Sequence, residues 1–366
     1  MEKKIPCLDL KEQHQQIKKE VFEAFEKVYE QTAFSGGHFA EAFEERFASF
    51  CGTGYAVAVN NGTSALHLAM LALGIGAGDE VIIPANTFIA TAWGVSYTGA
   101  TPVFVDCDAD TWEIDASKIE AKITSKTKAV IGVHLYGQPF DIRAVQAVCQ
   151  KHQLFLVEDA AQAQGAVYSG TPVGSFGEMA CFSFYPGKNL GACGEAGGIT
   201  TQNQSYYKHL QSLRNHGCQV RYYHDEIGYN MRMGGLEAAS LAVKLKYLPE
   251  WNRRRRDIAK RYQAAIKNPK IKMQLQPAGH DSVFHLFVIT TENRDQLIRH
   301  LNERNIFPGL HYPVPCHLQK AYAGLGYKNG DFPNSEYLAS HCLSLPMYAE
   351  LTDEEVDYVI QTLNSY

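Results

Sequence analysis

The sequence predicts an α/β fold: a mainly parallel sheet flanked by helices, followed by a smaller α+β unit. From residue 55 to 201, short β-branched runs alternate with helical stretches. The runs are continuously hydrophobic rather than alternating, as expected of strands covered on both faces. After about residue 235 the texture changes, first to a long helical stretch and then to mixed elements. A chain of 366 residues suits two domains at roughly 150 residues each. We expect a large domain over 13–247 and a small one over 248–366 that also takes in residues 1–12.

In chain order, Tyr55–Val59 reads as the first buried strand, followed by Asn60-Asn61-Gly62-Thr63-Ser64 and a helix through Leu73. Gly62-Thr63-Ser64 offers a tight turn and then hydroxyls at a helix start, as a cap would want. Further strands are predicted at Val81–Ile83, Pro102–Val105, Ala129–Val133 and Leu154–Val157. Met179–Phe184 and Gly197–Thr201 are joined by too short a link for a helical crossover, so that pair should be antiparallel. One long helix is expected from Leu236 to about Ala265, and a strand at Val283–Ile289. The run Arg253-Arg254-Arg255-Arg256 points around most of a helix and is diluted by Glu250 and Asp257. A solvated helix is the favoured reading of it over an anion site.

Composition narrows the function. Basic residues number 34 and acidic ones 39, for a net charge of −5, and the pI is about 6.3. That balance argues against nucleic acid as the main partner. No run approaches the ~18 apolar residues of a membrane span, and Met1–Asp9 lacks a signal peptide's apolar stretch, so the expected location is the cytoplasm. Nine cysteines without a Cys-x-x-Cys pair suggest free thiols. Fourteen histidines without His-Glu-x-x-His spacing give no metal site. The 20 tyrosines suit sugar or base stacking and ordinary packing equally well.

The chemistry concentrates between Val157 and Gly198. Val157-Glu158-Asp159-Ala160-Ala161-Gln162 puts a carboxylate where a strand ends and a helix is expected to begin, at the end of an open sheet where ligands bind. Ser183-Phe184-Tyr185-Pro186-Gly187-Lys188-Asn189-Leu190 then places a lysine in a Gly/Pro-interrupted loop after another strand. Neither a Walker loop nor a Gly-x-Gly-x-x-Gly fingerprint fits. An acid, a lysine, a Ser, a Thr-Ser helix start and the aromatic Phe88, all after strands of one sheet, suit pyridoxal phosphate. That cofactor needs a lysine for a Schiff base, a carboxylate for its ring nitrogen and a cradle of helix N–H groups and hydroxyls for its phosphate.

These blocks, with Gly62-Thr63-Ser64-Ala65-Leu66, Thr87-Phe88, Gly194-Glu195-Ala196-Gly197-Gly198 and Gly228-Tyr229-Asn230-Met231-Arg232, resemble the DegT/DnrJ/EryC1/StrS family over essentially the whole chain. These are nucleotide-sugar aminotransferases of the aspartate aminotransferase fold (fold type I). The resemblance implies pyridoxal 5′-phosphate at Lys188, cycling through pyridoxamine 5′-phosphate, with Lys188 also shuttling a proton and Asp159 paired with the pyridinium nitrogen. It implies stacking by Phe88, a bond from Gln162 to the 3′ hydroxyl, and a phosphate cradle of Gly62, Thr63, Ser64 and Ser183. Asn230 is expected to reach the partner subunit's cofactor in a homodimer with shared active sites, and Tyr185, His311 and Tyr312 to contact substrate. His134 also matches a family segment, where orientation or packing is as good a role as chemistry.

Family members that dehydrate sugars carry His in place of the lysine, so Lys188 favours transamination. The loop from Ser183 to Gly191 looks more like the subgroup that aminates C3 of dTDP-3-oxo-6-deoxyhexoses than like the 4-amino subgroup, with its Ser-Phe-His-x-x-Lys. The expected donor is L-glutamate. Alternatives within the family are 4-keto nucleotide-sugar or keto-inositol aminotransferases, and regulators that hold the cofactor without turnover.

Overall fold

The computed structural model describes residues 4–366, so residues 1–3 of the segment assigned above to the small domain lie outside it. Its centre is a seven-stranded sheet in the order Tyr55–Val59, Gly197–Thr201, Met179–Ser183, Phe155–Asp159, Thr127–Val133, Glu80–Pro84, Thr101–Val105. Gly197–Thr201 pairs antiparallel with both neighbours, and the other pairings are parallel. The short link after Ser183 dictates that reversal, as expected.

Both faces of the sheet are covered, which explains the continuous hydrophobic runs. Val57, Val59, Val157, Cys181 and Ile199 pack on one side with the helices Gly62–Ala72 and Ile89–Ser96. Their alternate neighbours Ala56, Ala58, Ala180 and Phe182 face Phe43 and Phe47 of the helix His38–Cys51, and Leu156 packs with the helix Ile142–His152. Since successive strand residues point to opposite faces, Asp159 follows Val157 and Glu158 points the other way.

Glu158 is fully buried and tightly held. Its Oε1 accepts from Phe176 N (2.8 Å) and Gly177 N (3.0 Å), and its Oε2 accepts from Gly174 N (2.9 Å) and lies 3.0 Å from His134 Nε2. His134 is itself buried and stacks on Phe140 with centroids 4.6 Å apart. Burial pushes the Glu158 carboxyl up, but the His134 contact and the backbone N–H groups outweigh it, so the net pKa is lowered.

The C-terminal part is built on a three-stranded antiparallel sheet, Lys272–Met273, Phe287–Thr290 and Cys342–Leu345. Its core also takes residues from the helices Leu248–Ala265, Arg294–Asn302 and Asp353–Asn364. Ile5–Pro6 adds a parallel pairing with Ile306–Phe307. No helix among the described residues is long and apolar enough to cross a membrane.

Five expectations need correction. The long helix is two, Gly235–Lys244 and Leu248–Ala265, because Pro249 lies in the first turn of the second; it lacks an N–H, and its ring would clash with a helical Leu245 carbonyl. The strand at Val283–Ile289 shrinks to Phe287–Thr290, since Phe284 adopts a φ of 45°. Instead Val283 N donates to Gly137 O (3.0 Å) and Leu286 N to Tyr136 O (3.2 Å). The cap of the helix Gly62–Ala72 is Asn61, whose Oδ1 accepts from Ser64 N at 2.8 Å, leaving the Thr63 and Ser64 hydroxyls free of that task. No helix follows Asp159; turns lead to the next strand at Val167. Lastly, the arginine run is not all solvated. Arg253 pairs with exposed Glu250 and Asp257, but Arg255 is 2% exposed and its guanidinium donates to Met347 O (2.8 Å), Phe284 O (3.2 Å) and His285 O (3.3 Å).

Glu158→Gln turns one set of accepting lone pairs into an N–H₂ facing backbone N–H donors, so unfolding in urea at pH 7 should cost about 2 kcal/mol less than in the wild type. Glu158's folded pKa lies below the ordinary 4.5, so its contribution is complete above 4.5 and is lost as pH falls through the folded value. The difference between the two proteins should therefore shrink on acidification; a constant difference from pH 7 to 3 would contradict the assignment.

Candidate active site

The ends of the parallel strands open into a cavity of about 930 Å³ that reaches across to Leu8 of the N-terminal segment and to His285 and Gly309–Tyr312 of the C-terminal part. Asp159, the last residue of its strand, is 5% exposed and lines this cavity. Its Oδ2 accepts from Thr91 Oγ1 (2.7 Å) and its Oδ1 from Ala161 N (3.1 Å). Thr91 is held in turn by Thr87 Oγ1 at 2.8 Å.

The strands bearing Asp159 and Ser183 are parallel neighbours, which brings the loop after Ser183 to the same end of the sheet. Lys188 lies on that loop, its N–H donating to Tyr185 O at 2.8 Å, and its side chain lines the cavity. Burial lowers its pKa to about 8 against the opposing pull of Asp159. Burial likewise raises Asp159, opposed by Thr91, Ala161 and the charge of Lys188. Lowered to about 8, Lys188 offers a neutral, nucleophilic amine at pH 7 far more often than an ordinary lysine does.

Thr63, Ser64 and Ser183 all line the cavity. A Cβ on Gly62 would stand 2.8 Å from Ser183 Cβ, so only glycine lets the helix start lie this close to the strand end. Free helix N–H groups and hydroxyls together make an anion cradle. At the rim, Phe88 is 49% exposed with its ring 5.4 Å from that of Tyr312, and Tyr185 is 53% exposed.

Gln162 is more engaged than the sequence suggested: its Oε1 accepts from Tyr136 N (2.6 Å) and its Nε2 donates to Tyr312 Oη (3.0 Å). His311 Nδ1 lies 2.8 Å from Ser344 Oγ, and its carbonyl accepts from Tyr136 Oη at 2.6 Å. Burial and then Lys188 lower the His311 pKa to about 4, so it is neutral at pH 7. Asn230 is exposed and does not line the cavity of its own chain, and His134 sits behind the sheet end with Glu158.

Three site residues escaped the sequence reading. Thr91 was visible only as a hydroxyl in the apolar run Ile89-Ala90-Thr91-Ala92-Trp93. Tyr136, with φ at 61°, ties His311 and Gln162 to one turn. His285 reads in the sequence as part of a strand.

The residues fit pyridoxal phosphate on their own geometry. A nucleophilic buried lysine, a buried carboxylate in want of a cationic partner and a hydroxyl-lined helix start share one cavity large enough for the cofactor and a second molecule. Lys188 would hold the aldehyde, Asp159 the ring nitrogen, and the Gly62–Ser64 and Ser183 cradle the phosphate.

Comparison with known proteins agrees. Residues 15–364 match the DegT/DnrJ/EryC1/StrS aminotransferase family. The chain is 44% identical to the dTDP-3-amino-3,6-dideoxy-alpha-D-galactopyranose transaminase of Aneurinibacillus thermoaerophilus, over 99% of both chains. It is 43% identical to the erythromycin biosynthesis sensory transduction protein EryC1 of Saccharopolyspora erythraea, also over 99% of both. The crystal structure of S. venezuelae DesV in complex with a ketimine intermediate superposes with a TM-score of 0.97 at 41% identity, covering 99% of this chain and 98% of that one. With its fold, its cavity and its whole length in agreement, the chain belongs to the DegT/DnrJ/EryC1/StrS aminotransferase family.

Proposed function

We propose that the chain is a pyridoxal phosphate-dependent aminotransferase that moves an amino group from L-glutamate to a nucleotide-linked keto-sugar, with C3 of a dTDP-3-oxo-6-deoxyhexose as the accepting carbon. The observation that carries this reading is the pairing of buried Lys188 and Asp159 in one cavity. When bound, the cofactor supplies an aldehyde and an electron-withdrawing ring. Lys188 Nζ binds that aldehyde and, when free, carries a proton between the donor's α-carbon and the cofactor's C4′. Asp159 keeps the ring nitrogen protonated, Phe88 packs on the ring, and Gly62, Thr63, Ser64 and Ser183 hold the phosphate. Gln162 acts on the 3′ hydroxyl side while fixing Tyr312, and Tyr185, His311 and Tyr312 form the sugar side of the site.

The substrate assignment rests on the Ser183–Gly191 loop and on the transaminase relative at 44% identity. We take the two domains to divide at 247/248, so that the cavity lies where both contribute, and the enzyme to work in the cytoplasm as a homodimer. Exposed Asn230, away from its own cavity, suits a contact to the partner's cofactor phosphate. A regulatory reading deserves weighing because one relative is called a sensory transduction protein. The intact set of Lys188, Asp159 and Thr91 favours turnover, since a protein that only held the cofactor would not need to keep the whole set.

L-Glutamate should convert the bound cofactor to its amine form, seen as loss of the long-wavelength absorbance, and a dTDP-3-oxo-6-deoxyhexose should restore it. Restoration by a 4-keto sugar alone would keep the reaction and overturn the substrate; failure of glutamate to change the spectrum would remove the transaminase reading. For the shared site, Lys188→Ala and Asn230→Ala proteins should each be nearly inactive. Equal mixing should recover about a quarter of wild-type activity, because half the dimers are hybrids with one intact site. A mixture no more active than its components would rule out sharing.

A further inference from the structure

The loop that carries Lys188 is closed on itself. Lys188 N donates to Tyr185 O and Ala192 N to Phe184 O, both at 2.8 Å. Gly191 lies so near the start of the loop that a Cβ there would stand 2.3 Å from Pro186 O. Gly191 is buried, and no backbone N–H donates to its carbonyl among the described residues. The donor it has is Lys244 Nζ, at 2.7 Å.

Lys244 ends the helix Gly235–Lys244 and is 1% exposed. Its amine also lies 3.1 Å from Nε2 of His14, a residue of the first helix, Lys11–Glu30. An ammonium only donates, so His14 Nε2 accepts. That suits a ring whose pKa is held below 6.5 by burial and then by Lys244. Among the described residues no carboxylate pairs with this amine. A buried amine without a counter-ion is unfavourable, and an apolar side chain would fill the same space more readily. What the amine provides instead is a pair of hydrogen bonds joining His14, Gly191 and Lys244, which are far apart in sequence.

Resting on the reading of Lys188 as the cofactor-binding amine, we propose that Lys244 is a positioning residue: it ties the Gly191 carbonyl to the first helix and so fixes the loop from which Lys188 reaches the cavity. Asn189 supplies a complementary anchor, its Nδ2 donating to Asn252 Oδ1 (2.9 Å) and Val283 O (3.0 Å) of the C-terminal part. The loop is thereby held from both parts of the molecule. Such rigidity matters because a displacement of about 1 Å at a reacting group can slow a reaction by about 100-fold.

The test reads the loop before any chemistry. In the cofactor-free protein, amide hydrogen exchange of peptides covering 184–192 should quicken about tenfold or more in Lys244→Met, as loss of one hydrogen bond to a charged group requires. Peptides covering the strand Phe155–Asp159 should keep their wild-type protection. Lys244→Gln, which retains an N–H donor, should restore part of the protection over 184–192. His14→Leu should quicken the same peptides less, and the double variant no more than Lys244→Met alone, since Lys244 carries the link from His14 to the loop. With cofactor bound, the rate at which L-glutamate removes the long-wavelength absorbance should fall about tenfold in Lys244→Met, with its dependence on glutamate concentration little changed. Unchanged exchange over 184–192 in Lys244→Met, or exchange quickened equally along the whole chain, would overturn the proposal. If that variant does not fold, His14→Leu is judged on the same peptides by the same two outcomes. Exchange is read without cofactor or turnover, whereas a failure of the transaminase reading would show in the wild type's response to glutamate.

Discussion

A carboxylate at the bottom of a cavity, Asp159, sets the terms for the rest of this structure. Taking its charge out of water is expensive unless hydrogen bonds and a cation offset the loss. Thr91 and the Ala161 N–H supply two bonds, and Lys188 supplies a positive charge from the adjacent loop. These are not enough to cancel burial, which still raises the acid. A cationic ring nitrogen would complete the arrangement, and the water-poor surroundings would strengthen that pairing. The same burial lowers the Lys188 pKa and so eases the loss of its proton, and one constraint prepares both groups.

The strand that delivers Asp159 also delivers its neighbour Glu158, and the two divide their labour by face. Glu158, turned to the far side, binds the main chain of 174–177 and His134, which fixes the strand end without reaching the cavity. Asp159, turned to the helix side, meets Thr91. Neither role would survive a one-residue register slip, which would exchange the faces. Gly62 adds a second constraint, since a side chain there would push the helix start away from Ser183.

Much of this was legible in the sequence because it is local. Continuous apolar runs gave the strands, the short link after Ser183 gave the one reversed strand, and Asp159 and Lys188 stood after strands of one sheet. What escaped depends on contacts distant in sequence. Arg255 looks like one of four solvated arginines until three carbonyls from 284–347 are seen to surround it. Apolar 283–286 reads as strand, yet the turn at 135–137 claims its N–H groups. Asn61 outcompetes the neighbouring hydroxyls as cap, a contest that residue preferences alone do not decide. Pro249 and Asn61, which caps the N–H three residues on, were the missed signals that are local.

The central claim is that buried Asp159 holds a proton on the cofactor's ring nitrogen. It is tested most directly by ¹⁵N spectroscopy of pyridine-nitrogen-labelled pyridoxal phosphate bound to the wild type and to Asp159→Asn. The account predicts a protonated ring nitrogen in the wild type up to pH 9 and an unprotonated one in the variant at pH 8. The same protonation state in both proteins would contradict it.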